Sequence, residues 1–377
     1  MWLKRLLTVG LIIFVCGVIF FAAFMIAGVM PVQDLAQYWS AAHLVRHNPY
    51  SRELVAQLER SHGLLVDRPL VLKNPPWAIP FILPLGLFSY RSAFAVWTLV
   101  SIVIVLGCTR AVWRELHLAP SLIPLLLPLL FGPTIVQLML GQWTILVFLG
   151  VAVFLIAAER RQDWIAGASL VLVLGKPHVA LLFLIAVALW MVQQRRWRIF
   201  ISGCLALLVA SLSVEVLNPH IWSQFIGRTT LVVHESEAYP NLGGMLYLIT
   251  GVHALALIPQ LAGLIWFALY WRKHRGHWSW WEHGTFVVLC SVVCSYYSYP
   301  YDETLALPAL LVAFARSRPP FLIVFLITNL GYALYITNVA GHFGFGYMFL
   351  WWTATGWLAA CLLAQHSRVL KHDPVEA

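Results

Sequence analysis

The sequence predicts an all-α polytopic membrane protein, and three observations carry that prediction. Of the 377 residues 61% are hydrophobic and only 10% charged, and the mean hydropathy is +0.82, far from soluble-domain averages. The apolar residues fall in runs suited to a bilayer core, where the backbone finds no hydrogen-bond partner except itself and folds as helices. The basic residues fall between those runs in short clusters: Arg110/Arg114, Arg160/Arg161, Arg195/Arg196/Arg198, Arg272/Lys273/Arg275, Arg316/Arg318 and Arg368/Lys371. With Lys4/Arg5 they make sixteen of the 24 Lys and Arg.

Such clusters mark cytoplasmic loops, and placing all of them inside defines about twelve transmembrane helices. The spans run Leu6–Val29, Arg91–Thr109, Pro120–Thr134, Trp143–Ala158, Trp164–Gly175, Val179–Gln193, Ile199–Val214, Val252–Tyr270, Gly284–Tyr297, Glu303–Ala315, Pro319–Ile336 and Tyr347–Gln365. The expectation is one transmembrane domain, residues 1–377, multi-pass in the plasma (inner) membrane with both termini cytoplasmic. The first apolar run follows Lys4 and Arg5 and lacks a small-x-small cleavage site, so it reads as an uncleaved anchor. The net charge of +9 is spread over loops, whereas nucleic-acid binding gathers basic residues on one soluble face. No nucleic-acid partner is expected.

The first extracytoplasmic loop, residues 31–90, is the longest polar stretch. Within it Leu35, Tyr38, Trp39, Ala42 and Val45 recur at helical spacing, with Asp34 placed to cap. Asn48-Pro49 ends that helix, Ser51 is placed to cap a second, and Gly63 to close it. Both suit interfacial helices with aromatic side chains at headgroup level. Residues 76–88 are apolar but too short for a span, so they read as a re-entrant or interfacial element. Counted as a full span, they would invert every later loop and put six basic clusters outside.

All six cysteines fall inside expected spans, so no disulfide framework is implied. Cys290 and Cys294 share a helix face without completing a metal set, and read as buried small hydrophobes.

The candidates for chemistry gather on the outer face. Asp34 follows the first apolar run; it suits an N-cap, and equally a general base that takes the proton of an attacking hydroxyl. The two roles are compatible, because a capping carboxylate is held in one orientation. Gly175-Lys176-Pro177-His178 interrupts a long apolar region with a cation, a helix breaker and an imidazole. A lysine there either snorkels to the surface or meets an anionic lipid phosphate; its tight turn and the lack of an acidic neighbour in sequence favour the phosphate. Residues 295–303 place Tyr296, Tyr297, Tyr299 and Tyr301 around Asp302 and Glu303. That segment reads as an aromatic belt or as a sugar-holding surface, and the adjoining carboxylates favour the latter.

Gln142, after Gly141, suits either a substrate hydrogen bond or a helix cap. His43 and His47 share a helix face at a metal-pair spacing but lack a third ligand, so they read as surface histidines. His220, His234, Glu235, Glu237 and His342 carry no distinguishing pattern. There is no phosphate-binding glycine loop and no cytoplasmic domain for a nucleotide donor.

These landmarks, in this order, resemble glycosyltransferase family 87, the polyprenol-phosphate-mannose-dependent mannosyltransferase type, which belongs to the membrane-embedded GT-C superfamily. The resemblance covers Asp34 to about Leu311. It rests on Asp34…Tyr38…Ala41-Ala42…Asn48-Pro49-Tyr50, then Pro75-Pro76 with Leu83-Pro84-Leu85, Trp97, and Leu140-Gly141-Gln142. Gly175-Lys176-Pro177, Arg195-Arg196-Trp197, Tyr301-Asp302 and Leu307-Pro308 complete it. Ser295-Tyr296 stands where relatives often have Ser-Pro or Thr-Pro, and Glu303 where many have histidine or an apolar residue. Residues beyond Asn338 do not align.

The resemblance implies a GT-C-type helical bundle that moves a sugar, mannose or another hexose or pentose, from a polyprenyl-phosphate donor. The acceptor would be a hydroxyl on a glycolipid or glycan at the extracytoplasmic face, and the reaction would invert the anomeric centre. It implies Asp34 as catalytic base and Lys176 near the donor phosphate; the reading of the residues themselves adds His178, Gln142, Tyr301, Asp302 and the loop arginine Arg228 as further donor-binding candidates. No cofactor or metal is expected, the lipid-linked sugar being a substrate. The alternatives are a transporter or flippase of lipid-linked sugars and a non-catalytic lipid-binding subunit. A transporter predicts internal repeats and charges near the bilayer midplane, whereas this chain collects its polar residues on one face.

Overall fold

The structure is a computed structural model that describes residues 2–29, 33–64, 69–231, 238–316, 319–337 and 346–372. Every regular element among the described residues is helical, and none is a strand. Among the described residues, four helices are long and apolar enough to cross a membrane: Tyr90–Glu115, Trp197–Glu215, His253–His277 and Gly346–Gln365. A fifth candidate is the pair Ile123–Leu129 and Gly132–Leu140, bent by 62°. Large apolar side chains stand bare on several helices, among them Val209, Ile265, Leu269 and Leu326, as suits contact with hydrocarbon. The chain is a membrane protein.

The chain divides into two compact units. The first comprises Met1–Ile104, Leu138–Gln142 and Leu207–Glu235. Its long opening helix, Trp2–Val29, precedes two short ones, Leu35–Leu44 and Arg52–Ser61. Ser51 caps the latter, its hydroxyl accepting from Leu54 N at 3.3 Å, and Gly63, at φ +70°, turns the chain out of it. Asp34, by contrast, precedes Leu35–Leu44 with helical backbone angles and makes no side-chain cap hydrogen bond. The expected capping role is therefore corrected: a cap needs extended backbone to aim its oxygen at the first amides, and Asp34 is already coiled (φ −58°, ψ −19°).

Residues 76–88 form two consecutive 3-10 helices, Pro76–Phe81 and Leu83–Leu87. Pro75, Pro76, Pro80 and Pro84 each remove an amide donor, so a continuous α-helix has no ladder to build on. Trp39 lies fully buried at the centre of this unit. Its indole donates to Phe88 O at 2.9 Å, and its ring meets Tyr90 edge-on. Asn218 finishes Leu35–Leu44 from afar, donating to the carbonyls of Val45 (2.9 Å) and His47 (3.0 Å), which the helix end leaves without internal donors.

The second unit comprises Val105–Gln137, Trp143–Ala206 and Ser236–Ala377. Its helices approach closely at small residues. A Cβ at Gly150 would stand 2.8 Å from Ser169 O, and one at Gly167 would collide with Ile199 O. Such contacts replace hydrophobic association where the surroundings are apolar already. Trp280 fills the centre of an aromatic core with Phe154, Phe183 and Trp190, the ring centroids 4.8, 5.8 and 5.2 Å away. The six cysteines are all free thiols.

Candidate active site

In the first unit, Asp34 is drawn into a short hydrogen-bonded chain. The Tyr38 hydroxyl donates to Gln142 Oε1 at 3.0 Å, and Gln142 Nε2 donates in turn to Asp34 Oδ2. Tyr38 stands four residues after Asp34, one helical turn on, so both side chains meet the same amide. Gln142 reaches them because Gly141 takes φ +67° at the end of Gly132–Leu140. Any other residue there would be strained, and its Cβ would sit 2.9 Å from Leu35 Cβ. Tyr38 is buried and stacks on Trp97 with centroids 6.3 Å apart. The chain has one direction, because a carboxylate only accepts. Asp34 itself is half-buried. An ionised carboxylate fixed by an amide donor is suited to receive a proton from a hydroxyl.

Arg228, in the same unit, donates to Leu72 O and, at 3.4 Å, to Val71 O. It thereby ties the helix Ile221–Leu231 to the segment that leads into the 3-10 helices. His43 lies against Trp39, its ring centroid 4.3 Å away and its Nδ1 3.0 Å from Trp39 O.

In the second unit, Lys176 and Asp302 form a buried ion pair across 126 residues, Nζ against Oδ1. Both are inside the protein, at 8% and 0% exposure. Thr144 Oγ1 donates to the same Oδ1 at 2.5 Å, and Tyr299 N donates to Oδ2 at 3.0 Å, so both carboxylate oxygens are served. The Lys176 ammonium also lies over the Tyr301 ring, 4.6 Å from its centroid. The acidic neighbour that Lys176 lacks in sequence is thus supplied by the fold. The Pro177 turn places it there: Lys176 adopts φ −147°, ψ 64° ahead of a single 3-10 turn, which stops the preceding helix from carrying its side chain on round.

His178 follows on that turn, ahead of the apolar helix Leu181–Gln193. Its ring meets Tyr297 edge-on with centroids 4.8 Å apart, and its carbonyl accepts from Ser295 Oγ at 3.2 Å. Burial and the adjacent Lys176 charge push its pKa down from 6.5 to about 4, with Asp302 opposing, so the imidazole is neutral at pH 7.

The tyrosines of residues 295–303 form a contiguous aromatic set with Tyr239. Tyr239 meets Tyr297 edge-on at 4.5 Å, and Tyr299 and Tyr301 stack at 5.4 Å, 16° from parallel. Asn241, which sequence reasoning passed over, staples this segment. Its amide donates to Ser295 O (3.2 Å) and Tyr296 O (3.1 Å), while its carbonyl caps Leu242–Thr250 through Gly244 N (2.8 Å). The signal was there in Asn241, an N-cap residue type ahead of an apolar run. Thr144 was missed because nothing local separates it from any other helix-starting threonine.

Asp302 and Glu303 are neighbours with separate tasks. Glu303 accepts from Tyr332 Oη (2.9 Å), Trp357 Nε1 (2.6 Å) and Thr353 Oγ1 (2.7 Å), and is buried. It binds the later helices rather than joining Lys176, so the two carboxylates do not form a pair. The structure therefore places Asp34, Gln142 and Arg228 in one unit and Lys176, His178, Tyr301 and Asp302 in the other. His234, Glu235, Glu237 and His342 lie outside the described residues.

The family model for glycosyltransferase family 87 matches residues 73–295, more than half of the chain. Comparison with curated proteins and with solved structures gives no match.

Proposed function

Because the chain belongs to glycosyltransferase family 87 and is a membrane glycosyltransferase, we propose that its donor is a polyprenyl-phosphate sugar, mannose or another hexose or pentose. The acceptor is a hydroxyl on a glycolipid or glycan at the extracytoplasmic face of the plasma membrane. The observation that supports a catalytic reading most strongly is the Tyr38–Gln142–Asp34 chain, which holds a half-buried carboxylate in one orientation without using it as a helix cap.

The chemistry is one in-line displacement at the anomeric carbon. Asp34 takes the proton of the acceptor hydroxyl as that oxygen bonds to the anomeric carbon. The bond from that carbon to the lipid phosphate breaks on the opposite side, its electron pair leaving with the phosphate. A β-linked donor therefore yields an α-linked product. Lipid phosphate is a competent leaving group, so positioning together with one general base, which contributes about 10²–10⁴-fold, is sufficient machinery. Lys176 is assigned to the donor phosphate as a hydrogen-bond donor, not as an uncompensated charge, since Asp302 already balances it. The tyrosines around Tyr299 and Tyr301 are assigned to the sugar, whose apolar faces suit stacked rings.

The test is direct. Purified protein is incubated with a panel of polyprenyl-phosphate sugars and a membrane-lipid extract, and mass spectrometry follows loss of sugar from the donor and gain on an acceptor. Consumption of one donor, abolished by Asp34→Asn, supports the reading. Donor that crosses a vesicle bilayer unchanged identifies a flippase instead.

A further inference from the structure

We propose that His274, His277 and His283 form a binding site for a divalent transition-metal ion of the zinc type. It is separate from the residues assigned to sugar transfer and independent of that assignment. His274 closes the helix Ile258–His274, His277 closes the 3-10 turn Arg275–His277, and His283 is the penultimate residue of the π-helix Trp280–Gly284. One ligand atom from each imidazole lies within 4.8 Å of the others. His283 is buried, His274 half-buried and His277 exposed, so the set is anchored on one side and open to an entering ion on the other.

Two independent features point to a ligand. The first is spacing. His274 Nδ1 and His277 Nε2 stand 3.3 Å apart. Two nitrogens bound to one tetrahedral zinc, each about 2.0–2.1 Å from it, stand about 3.3–3.4 Å apart. Imidazole suits zinc, copper, iron and nickel, and none of these ligands suits magnesium or calcium.

The second is the backbone that carries His283. A π-turn is rare and recurs at functional sites. Here Ser279 O accepts from both His283 N (2.8 Å) and Gly284 N (3.2 Å), and Ser279 Oγ accepts from Glu282 N (3.3 Å). Trp280 roots the turn, its backbone amide donating to Glu159 Oε1 at 3.0 Å and its ring sunk in the aromatic core. Tyr270 Oη lies 2.8 Å from His283 Nδ1. Metal-bound histidines normally use the second ring nitrogen in this way to fix orientation and tautomer, leaving Nε2 to ligate. An ion held here clamps the end of Ile258–His274 to the π-turn. Arg272, Lys273 and Arg275 flank the site and oppose a cation, so its affinity is set by the three imidazoles rather than by charge.

The experiment uses the full chain in detergent, with no polyhistidine tag, stripped with EDTA and dialysed. Titration with zinc chloride in a calorimeter is expected to give one saturable equivalent, and zinc is expected to raise the melting temperature where magnesium does not. His277→Ala removes an exposed ligand and so leaves the fold intact; it is expected to weaken zinc binding at least tenfold, and His283→Gln likewise. His253→Ala, an exposed histidine outside the cluster, is expected to bind zinc as the unaltered chain does. Absence of saturable binding, undiminished binding in His277→Ala, or an equal loss in His253→Ala would each overturn the site.

Discussion

Lys176 Nζ rests on Asp302 Oδ1 in the interior of the protein, with Thr144 on the same oxygen and the Tyr301 ring beneath the ammonium. Each member answers for another's desolvation. Breaking such a buried pair by deleting one partner costs about 3–5 kcal/mol, whereas removing both leaves no orphaned charge.

Lys176→Ala is therefore expected to lower the melting temperature sharply, and Lys176→Ala combined with Asp302→Ala to recover most of that loss. Donor binding separates the structural role from the functional one. If Lys176 touches the donor phosphate, the refolded double variant still binds the polyprenyl-phosphate sugar more weakly. If Lys176 serves stability alone, the double variant binds it as the unaltered protein does. Thermal unfolding and donor titration on the same preparations decide.

Gln142 is expected to act through Asp34. Gln142→Ala leaves the carboxylate without its amide and is predicted to reduce turnover by at least tenfold with a smaller change in KM, because orientation is lost rather than substrate contact. Gln142→Glu, which keeps the shape but repels Asp34, should be at least as slow and should move the acidic limb of the pH–rate profile upward, since a like charge makes the base easier to protonate. A profile unmoved in Gln142→Glu would detach Gln142 from the base.

His178 makes a prediction about pH. Its pKa lies at about 4 in the folded protein against 6.5 when unburied. Between those values the unfolded chain binds a proton that the folded one refuses, so stability falls as pH drops from 6.5 toward 4 and is fully present above 6.5. His178→Gln removes this contribution. Its melting temperature is expected to vary less over that window than the unaltered protein's. Parallel curves would show that the imidazole is protonated in place.

Local chemistry makes part of this architecture legible in the sequence itself. Ser51 and Gly63 mark the two ends of Arg52–Ser61 because capping and left-handed turns are decided by the residue itself. The prolines between residues 75 and 84 likewise announce that no ordinary helix runs there. Asp34 shows the opposite case. Its residue type and position both suggest a cap, yet Gln142, 108 residues on, takes its carboxylate. Lys176 stands out as a cation interrupting apolar sequence and Asp302 as a carboxylate among tyrosines, but their pairing is a fact of topology that no local pattern carries. The Tyr301-Asp302 motif sets Asp302 apart from Glu303, but the task of Glu303 is not visible in sequence, because its partners Thr353 and Trp357 lie in the stretch that the family resemblance leaves unaligned. His274, His277 and His283 lie in a segment whose arginines and lysine mark a loop, and no local spacing joins the third histidine to the first two.

The most direct test of the central claim is the turnover of Asp34→Asn, measured with its melting temperature. Asn keeps an oxygen for Gln142 to donate to, and Asp34 caps no helix, so the fold should melt within a degree or two of the unaltered protein. The basic carboxylate is gone, so the chemical step should slow by about 10²-fold or more. An Asp34→Asn protein that turns over at the unaltered rate would contradict the mechanism.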